Sequence, residues 1–417
     1  MLAILATHPI QYQVPIWKRL AERKRVPFEV WYLTAHGVKP SLDIEFARVF
    51  QWDMDLLGGY PNRFPPDPVP QQLGGFWDVG LCKDFRSRLT GGAVTGVLVA
   101  GWNVRACWEA TFLAHRAGVQ VWMRGDSNDL KVDRGFRRVA KRWLLGGLLD
   151  RVDRFLCVGG ANRRLYRGYG VGDERLVAGP HCVDNGRFAA QARQYLPERE
   201  ALRRAWGVPD GTFCLLYVGK FIPEKCPLDL VAAARRLAGG DAPRGYHLLF
   251  VGSGELGVDV RRHCRVVYDA ESVTINVSSV DAGAPNASFT GFLNQTDISK
   301  AYVAADALVL PSVSETWGLV INEAMASGLP CVASAACGAA EDLLAPINPR
   351  LVYPSGSVEA LVASIDYLAN HPIPGSAIAG LIAQFDYIKT VDTLEQLWDG
   401  GTVHPHIQNR PAARVGC

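Results

Sequence analysis

Residues 311–330 constrain the fold of this chain more than any other segment. They run Pro-Ser-Val-Ser-Glu-Thr-Trp-Gly-Leu-Val-Ile-Asn-Glu-Ala-Met-Ala-Ser-Gly-Leu-Pro and lie between apolar runs at 307–310 and 331–333. Gly328 and Pro330 are typical terminators of a helix. The pattern therefore predicts a strand, a loop, a helix and a second strand. Because ligands of open α/β sheets bind beyond the carboxyl ends of strands, the loop is predicted to lie at a binding edge.

Two glutamates and the start of the predicted helix give this segment its chemistry. Amides in the first turn of a helix have no partner within it and lie at the positive end of the helix dipole, which suits an anion. The predicted first-turn amides are those of Thr316, Trp317, Gly318 and Leu319. Glu315 precedes that turn and can accept hydrogen bonds from sugar hydroxyls. Glu323 lies about two turns further on, where it can accept hydrogen bonds from both hydroxyls of a ribose. The alternative is a pair of solvated helix glutamates.

This segment resembles, almost position for position, the signature Pro-Ser-x-x-Glu-x-x-Gly-x-x-x-x-Glu-Ala-x-Ala-x-Gly-x-Pro of retaining GT-B glycosyltransferases of family 4, also called group 1. Residues 216–225, Leu-Tyr-Val-Gly-Lys-Phe-Ile-Pro-Glu-Lys, are similar to the family's V-G-R-x-x-x-x-K-G element. Lys220 stands in the usual arginine place and Cys226 in the usual glycine place. Further pieces resemble family elements at 183–188, 249–254 and 289–293. The resemblance covers about residues 175–365.

The resemblance implies an α/β fold of GT-B architecture, in which two Rossmann-like domains face each other across a cleft. Residues 1–190 would bind the acceptor and residues 191–384 the nucleotide sugar. A helix at 385–401 would pack back on the first domain, and residues 402–417 would form a tail. The implied activity is retaining transfer of a sugar from a UDP- or GDP-type donor to a hydroxyl acceptor, with neither a metal nor another cofactor. Such reactions build polysaccharides, glycolipids and glycosylated metabolites.

The resemblance also assigns roles to individual residues. Lys220 and Lys225 would neutralise the diphosphate leaving group, whose charge develops in the transition state. A lysine does so as a point charge where an arginine would form a fork; two exposed lysines are the alternative. Together with Glu315 and Asp126 these lysines are the predicted catalytic residues. The predicted donor-binding residues are Gly219, Lys220, Lys225, Gly252, Phe292, Leu293, Glu315, Thr316, Trp317, Gly318, Leu319 and Glu323.

The ligand-facing edge of the predicted first domain departs from the family. Thr-His-Pro-Ile-Gln-Tyr-Gln follows the first predicted strand, where family members often have glycines. Arg124 and Asp126 follow a later strand, about where many members have a histidine. The predicted acceptor-binding residues are His8, Gln11, Tyr12, Arg124 and Asp126. Asp126 is expected to accept a proton or bind a hydroxyl. A structural His8, and an Arg124 that only pairs with Asp126, remain the alternatives.

Cysteines and acidic pairs do not predict a metal site. Asp53-Met-Asp55 matches the D-x-D pattern that binds a metal in the other glycosyltransferase fold, but the match is short and common by chance. Ten cysteines occur without a C-x-x-C pair, which indicates buried free thiols in a reducing cytoplasm.

Composition limits the partners of the chain. Hydrophobic residues make up 48% and charged residues 20%, which predicts a soluble globular protein, and a net charge of +3 does not indicate nucleic-acid binding. Residues 1–7 predict a strand rather than a secretory leader, and no apolar stretch is long enough to span a bilayer. Residues 131–154 predict a basic amphipathic helix that touches anionic lipid. The predicted location is the cytoplasm, peripheral on the inner face of the membrane; a solvated helix face is the alternative.

The rest of the chain alternates predicted strands and helices, as parallel sheets do. Strands are predicted at 2–6, 28–33, 97–100, 119–123, 155–158, 214–218 and 247–251, and helices at 16–25, 104–117, 136–149, 228–238 and 385–398. Residues 58–80 are rich in Gly and Pro and predict a loop that closes over an acceptor. Residues 255–288 predict a variable surface excursion.

Two other functions stay open from the sequence. A nucleotide-sugar epimerase of the same fold would need no acceptor. A catalytically silent subunit would bind a sugar nucleotide and activate a partner, and the unusual residues around Arg124 keep this alternative open.

Overall fold

The computed structural model describes residues 1–38, 40–43, 48–66, 73–130, 136–239, 245–272 and 283–400; the predicted tail at 402–417 lies outside them. The elements of the first half are, in chain order, β1 (Leu2–Ala6), α1 (Val14–Arg23), β2 (Phe28–Tyr32), β3 (Ser41–Asp43), β4 (Arg48–Phe50), β5 (Asn62–Arg63), α2 (Lys83–Thr90), β6 (Gly96–Val99), α3 (Arg105–Arg116), β7 (Gln120–Met123), α4 (Phe136–Leu149), β8 (Arg154–Cys157), α5 (Gly160–Gly168) and β9 (Leu176–Ala178).

The second half continues the alternation. Its elements are α6 (Asn185–Tyr195), α7 (Arg199–Ala205), β10 (Phe213–Val218), α8 (Pro227–Ala238), β11 (Tyr246–Val251), α9 (Gly257–Arg262), β12 (Arg265–Asp269), β13 (Asn286–Phe289), α10 (Ile298–Ala304), β14 (Ala307–Leu310), α11 (Leu319–Ala326), β15 (Cys331–Ser334), β16 (Val352–Tyr353), α12 (Val358–Asn370), α13 (Gly375–Ile382) and α14 (Tyr387–Gly400).

Each half forms a seven-stranded sheet whose paired strands are parallel. The strand order is β5-β2-β1-β6-β7-β8-β9 in the first sheet and β12-β13-β11-β10-β14-β15-β16 in the second. The short strands β3 and β4 form a separate antiparallel pair. The order of winding reverses between β1 and β6, and again between β10 and β14, and loops that leave such neighbouring strands diverge to open a crevice. The predicted fold class, α/β with two Rossmann-like domains, is confirmed.

Helices cover both faces of the two sheets, so the central strands are buried and largely apolar. All residues of β1 and of β11 are buried. The first sheet separates two buried clusters, one containing Trp31 and Phe155 and the other containing Tyr32 and Trp122. The second sheet has one continuous cluster. Each half therefore has a core of its own.

The chain crosses between the two halves twice. After β9, helix α6 packs against α10 and α11, and its Phe188 lies in the second core. The predicted limit between the domains, residue 190, falls inside this helix. At the end of the described chain, α14 contacts α1 and β9, and its Val391 and Leu394 lie in the core of the first half. The last helix thus returns to the first domain.

The strands and helices predicted in the alternating pattern outside residues 311–330 lie within two residues of their observed ends, but two loop predictions are wrong in part. Within 58–80, strand β5 pairs with β2 at the edge of the first sheet, and residues 67–72 lie outside the described ones. Within 255–288, helix α9 and strand β12 continue the α/β pattern, and residues 273–282 lie outside the described ones. Both edge strands are short and incompletely buried, so they lack the apolar run by which the central strands were predicted.

Candidate active site

A cleft of about 460 Å³ lies between the carboxyl edges of the two sheets. Loops that follow β10, β11, β13 and β14, together with the start of α11, line it from the second half, and loops that follow β1 and β7 line it from the first. The predicted site residues that line it are Gln11, Tyr12, Asp126, Gly219, Lys220, Lys225, Gly252, Phe292, Leu293, Glu315, Thr316, Trp317, Gly318, Leu319 and Glu323. Residues scattered over the sequence thus meet in one place.

A second cavity, of about 520 Å³, lies at the opposite edge of the second sheet. Its walls include Phe213 at the start of β10 and the ion pair between Arg203 and Asp306, whose nitrogen and oxygen are 3.0 Å apart. Ligands of parallel sheets bind at carboxyl edges, and this is an amino edge. The cleft between the halves is therefore the candidate site.

Lys225 and Glu315 form an ion pair in the cleft wall. Lys225 follows β10 and Glu315 follows β14, the neighbouring strands between which the winding reverses. The Nζ of Lys225 donates to Oε2 of Glu315, and the exposed fractions of the two side chains are 23% and 15%. The backbone of Glu315 is held on its other side, because its N–H donates to Ala336 O at 3.2 Å and its C=O accepts from Gly338 N at 3.2 Å. A cation and an anion are thus fixed side by side.

Gly219 and Gly252 let two loops meet without side chains between them. Gly252 has a φ of +130°, and a Cβ added there would lie 2.0 Å from the carbonyl oxygen of Gly219. Its N–H donates to Gly291 O at 2.9 Å, and that of Gly219 donates to Val251 O at 3.0 Å. The loops after β10, β11 and β13 therefore form a backbone floor that a ligand can approach closely. Lys220 follows on the same wall.

Helix α11 begins later than predicted, at Leu319. Gly318 precedes it with a φ of +99°, and a Cβ added there would lie 2.9 Å from Leu310 Cδ2. The amides of Thr316 and Trp317 therefore belong to the loop and not to the first turn. That turn still faces the cleft, since Gly318 and Leu319 line it. An anion in the cleft would meet the positive end of the α11 dipole.

Trp317 joins the two halves as well as lining the cleft. Its Nε1 donates to Asn322 Oδ1 at 2.8 Å, and its ring lies 5.5 Å from that of His181 and 6.0 Å from that of Phe385. Asn322 Nδ2 donates in turn to His181 O at 3.3 Å. Because the indole is buried, it offers a ligand one limited patch rather than a free ring.

Glu323 is a buried carboxylate that points to the cleft. Tyr302 donates its hydroxyl hydrogen to Glu323 Oε2 at 2.6 Å. Burial raises the pKa of Glu323, while Tyr302, Arg187 and a hydrogen bond from Gln295 act in the opposite direction. A buried carboxylate with unused acceptor capacity gains from a ligand that donates to it. Its position on α11 therefore suits a diol.

Asp126, Gln11 and Tyr12 form the facing wall. The hydroxyl of Thr316 donates to Asp126 Oδ2 at 3.3 Å, so this carboxylate lies beside the second half. Desolvation of its hydroxyl raises the pKa of Tyr12 to about 12, and the charge of Asp126 acts in the same direction. The phenol therefore stays protonated and can donate to a ligand oxygen.

Two predicted acceptor-binding residues lie elsewhere. Arg124 is buried and donates to Gly179 O at 3.1 Å and to Pro180 O at 3.0 Å, so it holds the segment that joins the halves. His8 bonds to Thr7 Oγ1 at 3.0 Å through Nδ1, and its ring meets that of His36 edge to face at 5.2 Å. Burial and then His36 lower the pKa of His8 to about 4. Both residues hold the protein's own groups and do not line the cleft.

His181 and Trp52 line the cleft but were not predicted from the sequence. His181 lies on the segment that joins the halves, edge to face with Tyr12 at 5.7 Å. Burial and then Arg124 lower its pKa well below the ordinary value. Its Nδ1 is buried and has no hydrogen-bond partner among the described residues. The signal in the sequence was a polar residue two positions before the Val183-Asp184 element.

Asp53 and Asp55 accept hydrogen bonds from different parts of the protein. Asp53 accepts from Thr296 N at 3.1 Å, whereas Asp55 accepts from Leu57 N at 3.1 Å and from Gly58 N at 2.9 Å. Within the described ranges, no group of three or more His, Cys, Asp and Glu side chains could hold a metal ion.

The predicted basic helix is described only in part. Residues 131–135 lie outside the described ones, and α4 covers the segment from Phe136 to Leu149. On α4, Trp143 is 83% exposed and Leu144 is 60% exposed. None of the helices in the described part of the chain has the length and apolarity to cross a bilayer. The nine cysteines of that part are free thiols, and all but Cys82 and Cys226 are buried, as predicted.

Two Rossmann-like domains that face each other across a cleft define the GT-B class of protein. The solved structure of Anabaena Alr3699/HepE in complex with UDP and glucose has a TM-score of 0.62 to this chain, with 16% identity, and covers 95% of this chain and 99% of that one. Sucrose-phosphate synthase from Thermosynechococcus elongatus has a TM-score of 0.61 and 17% identity, over 96% of this chain and 98% of that one. At this level of sequence identity the two solved structures show a shared fold with this chain and nothing more.

The particular family is indicated by sequence. Residues 198–377 match the model of the family described as glycosyl transferases group 1. A GDP-mannose-dependent alpha-mannosyltransferase of Mycobacterium tuberculosis is 33% identical over 177 residues, which are 42% of this chain and 38% of that protein. A D-inositol 3-phosphate glycosyltransferase of Geodermatophilus obscurus is 30% identical over 239 residues, 56% of this chain and 49% of that protein. The matches thus span less than half of these curated relatives, and the similarity to the group 1 family model is confined to residues 198–377 of this chain.

Proposed function

We propose that this protein is a retaining glycosyltransferase of family 4 that moves a sugar from a nucleotide-diphosphate sugar to a hydroxyl acceptor. The observation that carries the proposal is the meeting of Lys225, Glu315, the start of α11 and Glu323 on one wall of a cleft, with Asp126 on the facing wall. The group 1 match of residues 198–377 supports the same function. The reaction would need neither a metal nor another cofactor.

The donor would lie along the wall that runs from Glu323 to Glu315. Glu323 would accept hydrogen bonds from the ribose hydroxyls. The first turn of α11, Lys220 and Lys225 would bind the diphosphate. Glu315 would accept from hydroxyls of the transferred sugar. As the bond between sugar C1 and the phosphate oxygen breaks, negative charge grows on the diphosphate, and the lysines and the helix dipole stabilise it.

The acceptor would enter from the first domain, beside Asp126 and Tyr12. Its hydroxyl oxygen would form the new bond to C1 on the face that the diphosphate leaves, which retains the anomeric configuration. Its proton would pass to the departing phosphate oxygen, so the step balances without a covalent enzyme intermediate. Asp126 would orient the hydroxyl, and Tyr12, protonated at working pH, would donate to a neighbouring oxygen.

The choice of donor and the place of action are parts of the proposal. One relative is named for GDP-mannose and one structural neighbour contains UDP and glucose, which makes GDP and UDP sugars the first to try. We propose that the enzyme acts in the cytoplasm, on the inner face of the membrane, in polysaccharide, glycolipid or glycosylated-metabolite synthesis. The exposed Trp143 and Leu144 within the basic segment 131–154 support contact with anionic lipid.

The test is incubation of the protein with a panel of UDP and GDP sugars, with and without a panel of hydroxyl acceptors. Release of nucleoside diphosphate that depends on acceptor supports transfer, and NMR of the product decides whether the configuration is retained. An isomerised donor supports the epimerase, and binding without turnover supports the silent subunit. A product of inverted configuration would overturn the retaining mechanism.

A chelator tests the role of metal in the same assay. Because lysines and a helix terminus take the place of a cation in this proposal, EDTA should leave turnover nearly unchanged. Loss of turnover with EDTA and rescue by manganese would contradict the proposal and direct attention to Asp53 and Asp55.

A further inference from the structure

We propose that Trp52, a residue of the first domain, contacts the nucleobase of the donor and closes that end of the cleft. The inference rests on the proposed function, since it needs a nucleotide in the cleft. Trp52 lines the same cleft as Phe292, Leu293 and Glu323. It would give the first domain, assigned so far to the acceptor, a part in donor binding.

Glu323 locates the nucleobase end of the cleft. In a nucleotide sugar the ribose separates the base from the diphosphate, so the base lies beyond Glu323 on the side away from Lys225. In the second sheet the strands run β13-β11-β10-β14, so the loop after β13 and the loop that carries Lys225 leave strands that are separated by β11. Gln295 belongs to this loop, lines the cleft and hydrogen-bonds to Glu323. The base would therefore lie beside Gln295.

Hydrogen bonds on both sides of Trp52 bind its segment to this loop. Asn294 donates from Nδ2 to the carbonyl oxygen of Gln51 at 2.8 Å. Thr296 donates from its backbone N–H to Asp53 Oδ2 at 3.1 Å, and its hydroxyl donates to the same oxygen. Trp52 lies between the two first-domain residues of this pairing. It is therefore held at the nucleobase end by contacts that join the two domains.

The middle residues of the two paired segments, Trp52 and Gln295, both line the cleft. On its other side, the indole rests on Gly37, because a Cβ added to that glycine would lie 2.9 Å from Trp52 Cδ1 and 3.1 Å from its Nε1. The backbone N–H of Trp52 donates to Gly37 O at 3.4 Å. Its own domain thus positions the ring, and the second domain sets where the ring meets the cleft.

The chemistry of this end fits a flat, partly apolar group. Trp52, Phe292 and Leu293 supply aromatic and aliphatic surface, and Gln295 supplies an amide near the ribose carboxylate. A base stacked on an aromatic side chain gains affinity whichever base it is, because every base has a π face. Trp52 should therefore raise affinity for the nucleotide as a whole more than it selects uracil over guanine.

The experiment compares binding of UDP, GDP and inorganic pyrophosphate to the wild-type chain, Trp52→Ala and Trp52→Phe by calorimetry. Loss of a base–aromatic stack should weaken binding of the nucleoside diphosphate about fivefold to hundredfold in Trp52→Ala. Trp52→Phe keeps an aromatic ring and should stay within about threefold of wild type. Pyrophosphate, which has no base, should bind all three proteins alike. Trp77→Ala is the matched control, because that tryptophan is 74% exposed and does not line the cleft.

Each result supports or overturns the inference. Equal nucleotide affinity in wild type and Trp52→Ala would remove Trp52 from the nucleobase site, as would an equal loss for pyrophosphate, which would mark a role in domain structure only. Binding of sugar nucleotide by wild type together with either result would leave the proposed function standing. Failure of the wild-type chain to bind UDP and GDP would overturn both.

Discussion

The Nζ of Lys225 donates to Oε2 of Glu315, so an ion pair joins the two loops that diverge between β10 and β14. With exposed fractions of 23% and 15%, the pair is less screened by water than a surface pair. In the proposed complex the same lysine faces a diphosphate that carries more negative charge than one carboxylate. The ion pair thus keeps Lys225 in place before the donor binds. When the donor binds, Lys225 would interact with the diphosphate and Glu315 with the sugar, so the pair links these two ends of the site.

Replacing Lys225 with alanine should lower sugar transfer by about one to two decades. The side chain makes a charge-assisted contact worth roughly 1.5–3 kcal/mol, which corresponds to that loss in rate. Turnover should be measured beside thermal unfolding, which should show a folded variant. Lys83→Ala, at an exposed position at the start of α2, is the control and should be fully active. Unchanged turnover in Lys225→Ala would remove this lysine from the site.

The second domain was the more predictable half because its chemistry lies in contiguous segments. Lys225 and Glu315 follow neighbouring strands, and Glu323 lies on the helix that comes directly after the Glu315 loop. Parallel strands bring such positions to one edge of a sheet whatever lies between them. The apolar runs predict the parallel strands, and the parallel strands place these residues in one cleft. Their roles in binding and transfer stay predictions.

The remaining parts of the site depend on contacts that a linear pattern does not contain. Trp52 and His181 line the cleft because of how the two domains meet, and neither stands at the end of a predicted strand. Arg124 does follow a strand, but two carbonyl groups of the joining segment take its guanidinium. The start of α11 was misplaced because the backbone of Gly318 is left-handed, which delays the helix.

Cys226 retains the backbone conformation of the glycine that it replaces in the family pattern. Its φ of +49° lies in the left-handed region, which is unfavourable for a residue with a Cβ by about 1–2 kcal/mol. Cys226→Gly should therefore raise the free energy of unfolding by up to about 1 kcal/mol, after the larger chain entropy of glycine is subtracted. Cys226→Ala is the matched control, since it keeps the Cβ and should bring no such gain. Denaturant unfolding measures both; equal stability of the two variants would contradict strain at this position.

Replacing each of the two glutamates of the site with glutamine should change different kinetic parameters. Glu323 would hold the ribose, a part of the donor that does not react, so Glu323→Gln should raise the donor KM with a milder change in kcat. Glu315 would face the sugar on which positive charge develops, so Glu315→Gln should lower kcat more than it weakens donor binding. Steady-state kinetics with donor calorimetry separates the two effects. Equal kcat losses, or a larger loss for Glu323→Gln, would show that the roles are assigned wrongly.

Burial raises the pKa of Glu323, and the donor should reverse that shift. Ribose hydroxyls donate to an ionised carboxylate, so the complex favours the charged form that burial disfavours in the free protein. As the pH falls through the raised pKa, donor binding should therefore weaken and should release a proton from Glu323. Calorimetry in two buffers of different ionisation enthalpy counts the protons released, and Glu323→Gln should show none from this site.

The raised pKa of Glu323 also predicts how the stability of the protein changes with pH, and this can be measured without donor. A carboxyl group with a higher pKa in the folded state binds more protons there than in the unfolded chain, so its contribution to stability is largest at low pH. That contribution should decline as the pH rises from the ordinary value of 4.5 through the raised one, and should then stay constant. The difference in unfolding free energy between wild type and Glu323→Gln isolates it from other carboxylates. A difference that grew with pH over this window would mean that Glu323 is ionised and already satisfied in the free protein, and the predicted proton release would then be absent.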